Sequence, residues 1–377
     1  MKVENIFCEL QKEMNALFKS AVCEKYFSGA AVGVSLFSGK KRETFTGCYG
    51  TPSFYSSENI HTSTFFDLAS LTKPLATTMA VLCLIKEKKI YPDEKIGNFF
   101  GSGFSLETKD ITISDILNHS SGLPSYRVFY KDIIGLPLSE RKERLCQLVL
   151  KEPFEYTPHT QSLYSDLGFM LLDSIVEKRA GMSLEKYLQK KMPEYFGVSK
   201  GLVFNPMEKK ITNCACTEKC SWRKKVLCGE VDDENTWAVG GISGQAGLFG
   251  TIESVVSITN HILDVWLGKE KDKNIERETL KLFLESRKTK NSSWAMGFDT
   301  PSPEYSSGGK YLSRNSVGHL GFTGTSFWID PDKELVMVLL TNRVHPSREN
   351  NAIRKFRPLF HDKVIEKLGL AEKEAKE

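Results

Sequence analysis

Near the N-terminus, Val3, Ile6, Phe7, Leu10, Met14, Leu17, Phe18 and Val22 recur at helical spacing, which predicts an amphipathic helix. Glu4, Glu9 and Glu13 interrupt any continuous apolar run there, so the segment does not read as a secretion signal. The pattern then changes period. Ala30–Phe37 is rich in valine, is bounded by Ser38-Gly39 and is followed by a second extended run at Glu43–Gly47, which predicts a hairpin. Thr325–Ile329 and Leu335–Thr341 flank Asp330-Pro331-Asp332-Lys333 in the same way, and a closing amphipathic helix is predicted over about Ala352–Leu368. Between these ends helical periodicity dominates. Leu71, Leu75, Met79, Leu82 and Ile85 mark one stripe, and Leu167, Met170, Leu171 and Ile175 mark another. Residues 201–250 are punctuated by glycine and cysteine without a period and predict a long irregular excursion.

Strands at both ends, each end also supplying a helix, imply an α+β fold: an antiparallel sheet flanked by helices, with a mostly helical domain inserted in it. The expected division assigns 1–72 and 286–377 to the sheet domain and 73–285 to the insertion, the two forming a single catalytic unit. A chain of 377 residues is long enough for this.

Composition narrows the function by exclusion. The formal net charge is +4, and the basic residues are scattered rather than gathered into a stripe, so nucleic acid is not an expected partner. No run approaches the eighteen or so apolar residues of a membrane span. Nine cysteines, an odd number without framework spacing, predict reduced thiols and, with no leader visible in this numbering, a cytoplasmic location unless a leader was removed. Cys214, Cys216, Cys220 and Cys228 cluster, but their spacing lacks the paired hooks of a zinc site, so free thiols and no metal are expected.

Six serines have lysine three positions on: Ser38, Ser70, Ser139, Ser183, Ser221 and Ser307. Ser38 and Ser307 lie in glycine-containing turns, Ser221 lies in the cysteine loop, and Ser139 and Ser183 read as helix caps. Ser70 stands in FFDLASLTKPLATTMAVLCLI, a largely apolar segment in which serine and lysine fall one helical turn apart. Pro74 belongs in a first turn, which places Ser70 at the helix start beside unpaired backbone N–H groups, where developing negative charge is stabilised. Apolar surroundings are expected to lower the pKa of Lys73 and make it a proton acceptor. An N-cap serine with a snorkelling lysine is the plain structural alternative. Two further polar clusters abut regular elements. Tyr164-Ser165-Asp166 precedes an apolar helix, where Asp166 could simply be the cap, and His319-Leu320-Gly321 opens a strand in VGHLGFTGTSFWIDP.

S-x-x-K, Y-x-D and H-x-G in this order resemble the motifs of the penicillin-recognising serine hydrolases, in particular the group of class C β-lactamases, DD-peptidases, esterases and D-aminopeptidases. The segments ILNHSSGLP (116–124), GEVDDENTWAVGGISGQAGLFGT (229–251) and TNRVHP (341–346) extend the likeness from about residue 28 to 365. The resemblance implies a β-lactamase/transpeptidase-like fold with the site in the seam between its parts. It implies Ser70 as nucleophile, Lys73 and Tyr164 sharing the base and acid roles, and an oxyanion hole from the N–H groups of Ser70 and Phe322. Asp166, His319 and Gly321 would contact substrate, and no cofactor is implied.

Departures temper the substrate. Asp166 stands where the family has asparagine, His319 where it often has lysine, and Leu320 where it often has threonine. Asp232 and Gln245 replace two of its histidines. A dedicated β-lactamase is thereby disfavoured. The expected function is hydrolysis of a small ester, amide or peptide through an acyl-enzyme. Its rivals are a DD-peptidase or true β-lactamase, and an inactive member that binds muropeptides or a protein. Nothing in the sequence sets the oligomeric state.

Overall fold

A computed structural model of the chain describes residues 3–38, 41–100, 106–198, 200–269, 275–286, 289 and 292–371. The principal elements in chain order are α1 (Val3–Cys23), β1 (Gly29–Ser38), β2 (Lys41–Gly50), α2 (Met79–Lys86), α3 (Asp166–Ala180) and α4 (Ile252–Leu267). They are followed by β3 (Trp294–Ala295), β4 (Phe298–Asp299), β5 (Val317–Leu320), β6 (Ser326–Asp330), β7 (Leu335–Thr341) and α5 (Ile353–Lys367). The seven strands form one antiparallel sheet in the order β2-β1-β7-β6-β5-β4-β3, so the two chain ends meet where β1 pairs with β7.

Strand alternation sends side chains to two cores. Ala30, Val32 and Val34 of β1 with Leu335, Met337 and Leu339 of β7 face the terminal helices, meeting Leu10, Met14 and Phe18 of α1 and Phe356 and Phe360 of α5. The alternate residues Val336, Val338 and Leu340 join the larger core with α2, α3 and α4. Helix α4 lies directly on this second face: a Cβ on Gly33 would come within 2.3 Å of Val256. The architecture is the α+β, β-lactamase/transpeptidase-like fold, with the sheet assembled from both ends of the chain as its hydrophobic pattern required.

Two expectations are corrected. Ser139 is not a helix cap; the helix Leu138–Val149 begins after Pro137, and Ser139 lies inside its first turn. Nor are all the cysteines reduced. The strands Cys216–Cys220 and Lys225–Cys228 form a small antiparallel hairpin whose register sets Cys216 opposite Cys228, with Cα atoms 4.1 Å apart, and the two are disulfide-bonded. Cys214 and Cys220 stay buried and unbridged. The sequence offered no period across 201–250, so this pairing could not be read there. Among the described residues no helix is long and apolar enough to cross a membrane.

Candidate active site

The segment leading to Ser70 is pinned before any helix begins. Phe66–Asp67 pairs with the strand Leu248–Gly250, and Leu68 donates its N–H to the Leu248 carbonyl at 2.9 Å. Ala69 then turns with φ +47°, a left-handed conformation unusual for a residue with a side chain. Asp67 holds that turn. Its carboxylate accepts from the Ala69 N–H at 2.8 Å and from the Asp232 N–H at 2.7 Å. Burial and the neighbouring Asp232 push Asp67 up to about 7. Sequence reasoning passed over Asp67, although its place three residues before Ser70 was visible.

Ser70 sits in a single 3₁₀ turn, Ala69–Leu71, which runs on as a wider π-type stretch, Lys73–Thr78, and then as α2. Pro74 has no N–H to close the regular ladder onto Ser70, which is a local reason for the irregular start. Leu71, Leu75, Met79 and Leu82 are fully buried, so the stripe predicted for this helix is its core face.

Lys73 is fully buried; its ammonium donates to Ser70 Oγ at 3.2 Å and to the Gln245 carbonyl at 3.1 Å, and it is ion-paired with Asp166, whose Oδ1 lies 2.6 Å away. It also lies 4.8 Å from the centroid of the Tyr164 ring. Here the sequence expectation fails. Burial does press the lysine towards neutrality, but the Asp166 carboxylate and the Tyr164 oxygen outweigh it, and the pKa is raised. Apolar neighbours alone would have lowered it; an aspartate 93 positions away in sequence reverses the sign.

Tyr164 and Asp166 come from the entry to α3. Ser165, not Asp166, caps that helix, accepting from the Gly168 N–H, and this leaves the Asp166 carboxylate free to face Lys73. The buried Tyr164 hydroxyl faces Lys73 and Ser70 without closing a well-aligned hydrogen bond to either. Its pKa is raised, by burial first and against the pull of Lys73. Tyr164 packs beside His119, Trp294 and His319, with ring centroids 4.8, 5.2 and 5.9 Å away. His119 fixes the backbone just before α3, its Nδ1 accepting from the Ser165 N–H at 3.0 Å.

On the strand side, His319 Nδ1 donates to the Leu320 carbonyl at 2.9 Å, which leaves Nε2 as a bare acceptor. Burial, with Lys73 nearby, lowers the His319 pKa to about 3, so the ring is neutral. Gly321 is glycine for a steric reason: a Cβ there would lie 2.7 Å from the Leu68 carbonyl oxygen. Thr323 and Thr325 bind this turn to the segment that carries Ser70, donating to the carbonyls of Asp67 at 2.7 Å and Leu68 at 3.1 Å. Arg357 donates to the carbonyls of Gly321 and Thr325, and Arg343 to that of Phe322.

The structure thus brings the residues singled out in sequence to one place. A cavity of about 750 Å³ is bordered by Ser70, Tyr164, Asp166, His319, Gly321 and Phe322, with Lys73 directly beneath Ser70. It is also bordered by Asp67, Tyr126, Trp294 and four arginines, Arg343, Arg348, Arg354 and Arg357, which sequence reasoning did not select. The two replaced histidines have structural work. Asp232 pairs with Arg348 at 3.0 Å, and the Gln245 side chain, bonded to Ser243 and Thr236, sets the carbonyl that receives Lys73.

The Beta-lactamase family model matches residues 9–359. The chain belongs to the β-lactamase family. It is 32% identical over 310 residues to a putative D-alanyl-D-alanine carboxypeptidase of Escherichia coli K12, covering 75% of this chain and 70% of that protein. It is 33% identical over 311 residues to an N-acetylmuramyl-L-alanine amidase of Bacillus subtilis 168, covering 75% and 69%. A β-lactamase/D-alanine carboxypeptidase from Pseudomonas syringae shares the fold, with a TM-score of 0.73 at 14% identity over 95% of this chain and 99% of that one. As a member of this family the protein is a serine hydrolase of the acyl-enzyme type.

Proposed function

We propose that Ser70 is the nucleophile, that Lys73 and Tyr164 move its proton, and that the substrate is a peptide-like amide or ester. The observation that carries this reading is the contact of the buried Lys73 with Ser70 Oγ at 3.2 Å, at the base of a cavity that Tyr164 also borders. In the resting site Lys73 is an ammonium paired with Asp166. Once it gives up that proton, the free amine accepts the proton of Ser70 Oγ as the oxygen adds to the substrate carbonyl. Tyr164 donates its hydroxyl proton to the leaving amine or alcohol and regains one from Lys73, which ends as the free amine; the site gains one acyl group, and the one proton it has lost is the ammonium proton released to solvent at the outset. The N–H groups of Ser70 and Phe322 receive the negative charge on the carbonyl oxygen, held in register by the Thr323 and Thr325 bonds to Asp67 and Leu68.

The substrate class follows from two supports. Curated relatives are named for cutting peptide or amide bonds, and a neutral His319 offers no charge where a lysine would hold the carboxylate of a β-lactam. A peptidase or amidase role is favoured over a true β-lactamase. Retention of Ser70, Lys73 and Tyr164 in one cavity speaks against an inactive binding role. The cytoplasmic location expected from reduced cysteines loses that support with the Cys216–Cys228 bridge, because such bridges are rare in the cytosol.

Fluorescent fluorophosphonate labelling tests the nucleophile. The wild type becomes labelled, with the adduct mapping to Ser70, and Ser70→Ala abolishes both labelling and turnover of a short-chain activated ester. An adduct on another serine would overturn the assignment.

A further inference from the structure

One buried titratable group beside Ser70 has no part in the proposed proton transfers. Asp67 is 2% exposed and borders the cavity, and among the described residues no cation is paired with it. Its bonds instead join three segments. One carboxylate oxygen accepts from the Ala69 N–H at 2.8 Å and the other from the Asp232 N–H at 2.7 Å. Its backbone carbonyl accepts from Thr323 Oγ1 at 2.7 Å, in the turn that contains Phe322. The Asp232 end is a fixed anchor, because Arg223 and Arg348 both donate to the Asp232 carbonyl.

The end that can give way is the one nearest Ser70. Ala69 is left-handed at φ +47°, a conformation that a side chain disfavours, so the turn needs a hold from outside itself. The bond from the Ala69 N–H to Asp67 supplies one. A turn that relaxed would swing the Ser70 N–H and Oγ, one residue on. A carboxylate serves both N–H groups because each of its oxygens accepts. A carboxylic acid carries a proton on one oxygen, which then accepts poorly. A buried N–H left short of its partner is costly, so proton uptake works against the turn.

We infer that Asp67 is a positioning residue that acts only as a carboxylate: ionised, it clamps the Ala69 turn and aims Ser70 at the substrate carbonyl; protonated, it releases the turn and slows acylation. The inference deepens the proposed function and rests on Ser70 as the nucleophile. Burial first, then repulsion from Asp232, place the change at about 7. The charged groups facing Asp67 are Asp232 and Asp233, with Arg223 and Arg348 beyond them on Asp232. The strand Leu248–Gly250 and the turn 321–325, which also pack against it, bring no titratable side chain. Asp232 titrates lower, at about 6. Lys73 is raised above the ordinary lysine value, and burial keeps His119 and His319 neutral, so none of these three changes charge near neutrality.

The test follows fluorophosphonate labelling of the full chain at saturating reagent from about pH 5 to 9. The wild type should lose rate in a step near 7 as pH falls, with the half-saturating concentration unchanged. In Asp67→Asn the amide oxygen serves one N–H while the NH2 group opposes the other, as a permanently protonated form would. Labelling at about pH 8 should then fall about 10- to 100-fold, and the step should vanish. A merely structural Asp67 would lower stability and leave the step in place. Asp232→Asn removes the repelling charge, so its step should move to lower pH. A flat wild-type profile, a step retained in Asp67→Asn, or a step unmoved in Asp232→Asn would each overturn the inference. The first and last of these decide even where Asp67→Asn does not fold. An adduct mapped to a serine other than Ser70 would overturn the proposed function, and the inference with it.

Discussion

Helix α3 carries two aspartates two turns apart, and each is paired with the lysine of an S-x-x-K sequence. Asp166 meets Lys73 of the Ser70 motif at 2.6 Å, and Asp173 meets Lys142 of the Ser139 motif at 2.7 Å. Both lysines are held above their ordinary pKa against the effect of burial. The two pairs open in opposite directions. In the first the lysine side chain is fully enclosed and the aspartate is 18% exposed, reaching the cavity; in the second the aspartate is fully enclosed and the lysine is 25% exposed. Lys73 spends its third contact on Ser70 Oγ, whereas Lys142 spends its own on Glu177 at 2.7 Å, and Ser139 stays exposed on the outer face. A lysine–aspartate pair with one member enclosed is therefore no mark of chemistry. The third partner and the direction of the opening separate the lysine proposed to react from an internal brace.

The comparison is most sharply broken by deleting the lysines. Lys73→Ala and Tyr164→Phe are each expected to lower kcat by about 10²–10⁴-fold, the usual contribution of a proton-transfer group, with the fold retained by circular dichroism. Lys142→Ala leaves Asp173 buried beside Glu177 and should act on stability instead, by about 3 kcal/mol in urea unfolding, with kcat within about threefold of wild type. A large loss of kcat in the Lys142 variant at full stability would erase the distinction.

A smaller effect separates the two aspartates. The titratable groups facing Lys73 are Asp166 and Tyr164 from the entry to α3, His119 from the 116–124 loop and His319 from β5; both histidines are neutral through burial. Asp166 is the chief influence holding the lysine protonated, so the free-amine form gains ground only as pH rises. Asp166→Asn removes that hold while burial persists. The rise of kcat/KM with pH should therefore move to lower pH, and Asp166→Glu should restore the wild-type position. Asp173→Asn should leave the profile where it is. Superimposable profiles for wild type and Asp166→Asn would place control of Lys73 elsewhere.

The smallest expected effect lies in stability. Burial raises Asp173 to about 6, above the roughly 3.9 of an unfolded aspartate. Between about pH 4 and 6 the native chain thus keeps a proton that the unfolded chain has released, and this group's contribution to stability falls as pH rises through that window. Asp173→Asn should remove its share of that slope. Thermal midpoints measured at pH 4, 5 and 6 check it, and an unchanged slope would mean that Lys142 keeps Asp173 ionised throughout.

Much of this could be read from order along the chain. The hairpin at Ala30–Phe37, the strands at 325–341 and the stripe from Leu71 to Ile85 were legible because each buries one face of one element, and such a face writes its period locally. Ser70, Lys73 and Tyr164 were legible as polar residues placed where an element begins; His319 was legible beside its glycines, but it lies within β5, near the end of that strand, and does not open one as expected. Asp67, Gln245 and Arg357 were not, because each acts through a backbone group or a side chain far away in sequence and leaves no periodic trace. The Cys216–Cys228 pair was hidden for a related reason: only the hairpin register sets those two residues opposite each other.

The sequence by itself determined which faces are buried, that a sheet is built from both ends, and which serine–lysine pair lies at the head of an apolar helix. These follow from local hydrophobic period and backbone chemistry, which act over a few residues. Only the tertiary structure decided the charge on Lys73, the neutrality of His319 and the two backbone carbonyls that Arg357 serves. Each depends on distances of a few ångströms between residues remote in the chain, and Coulomb interaction and desolvation follow distance in space, not separation in sequence.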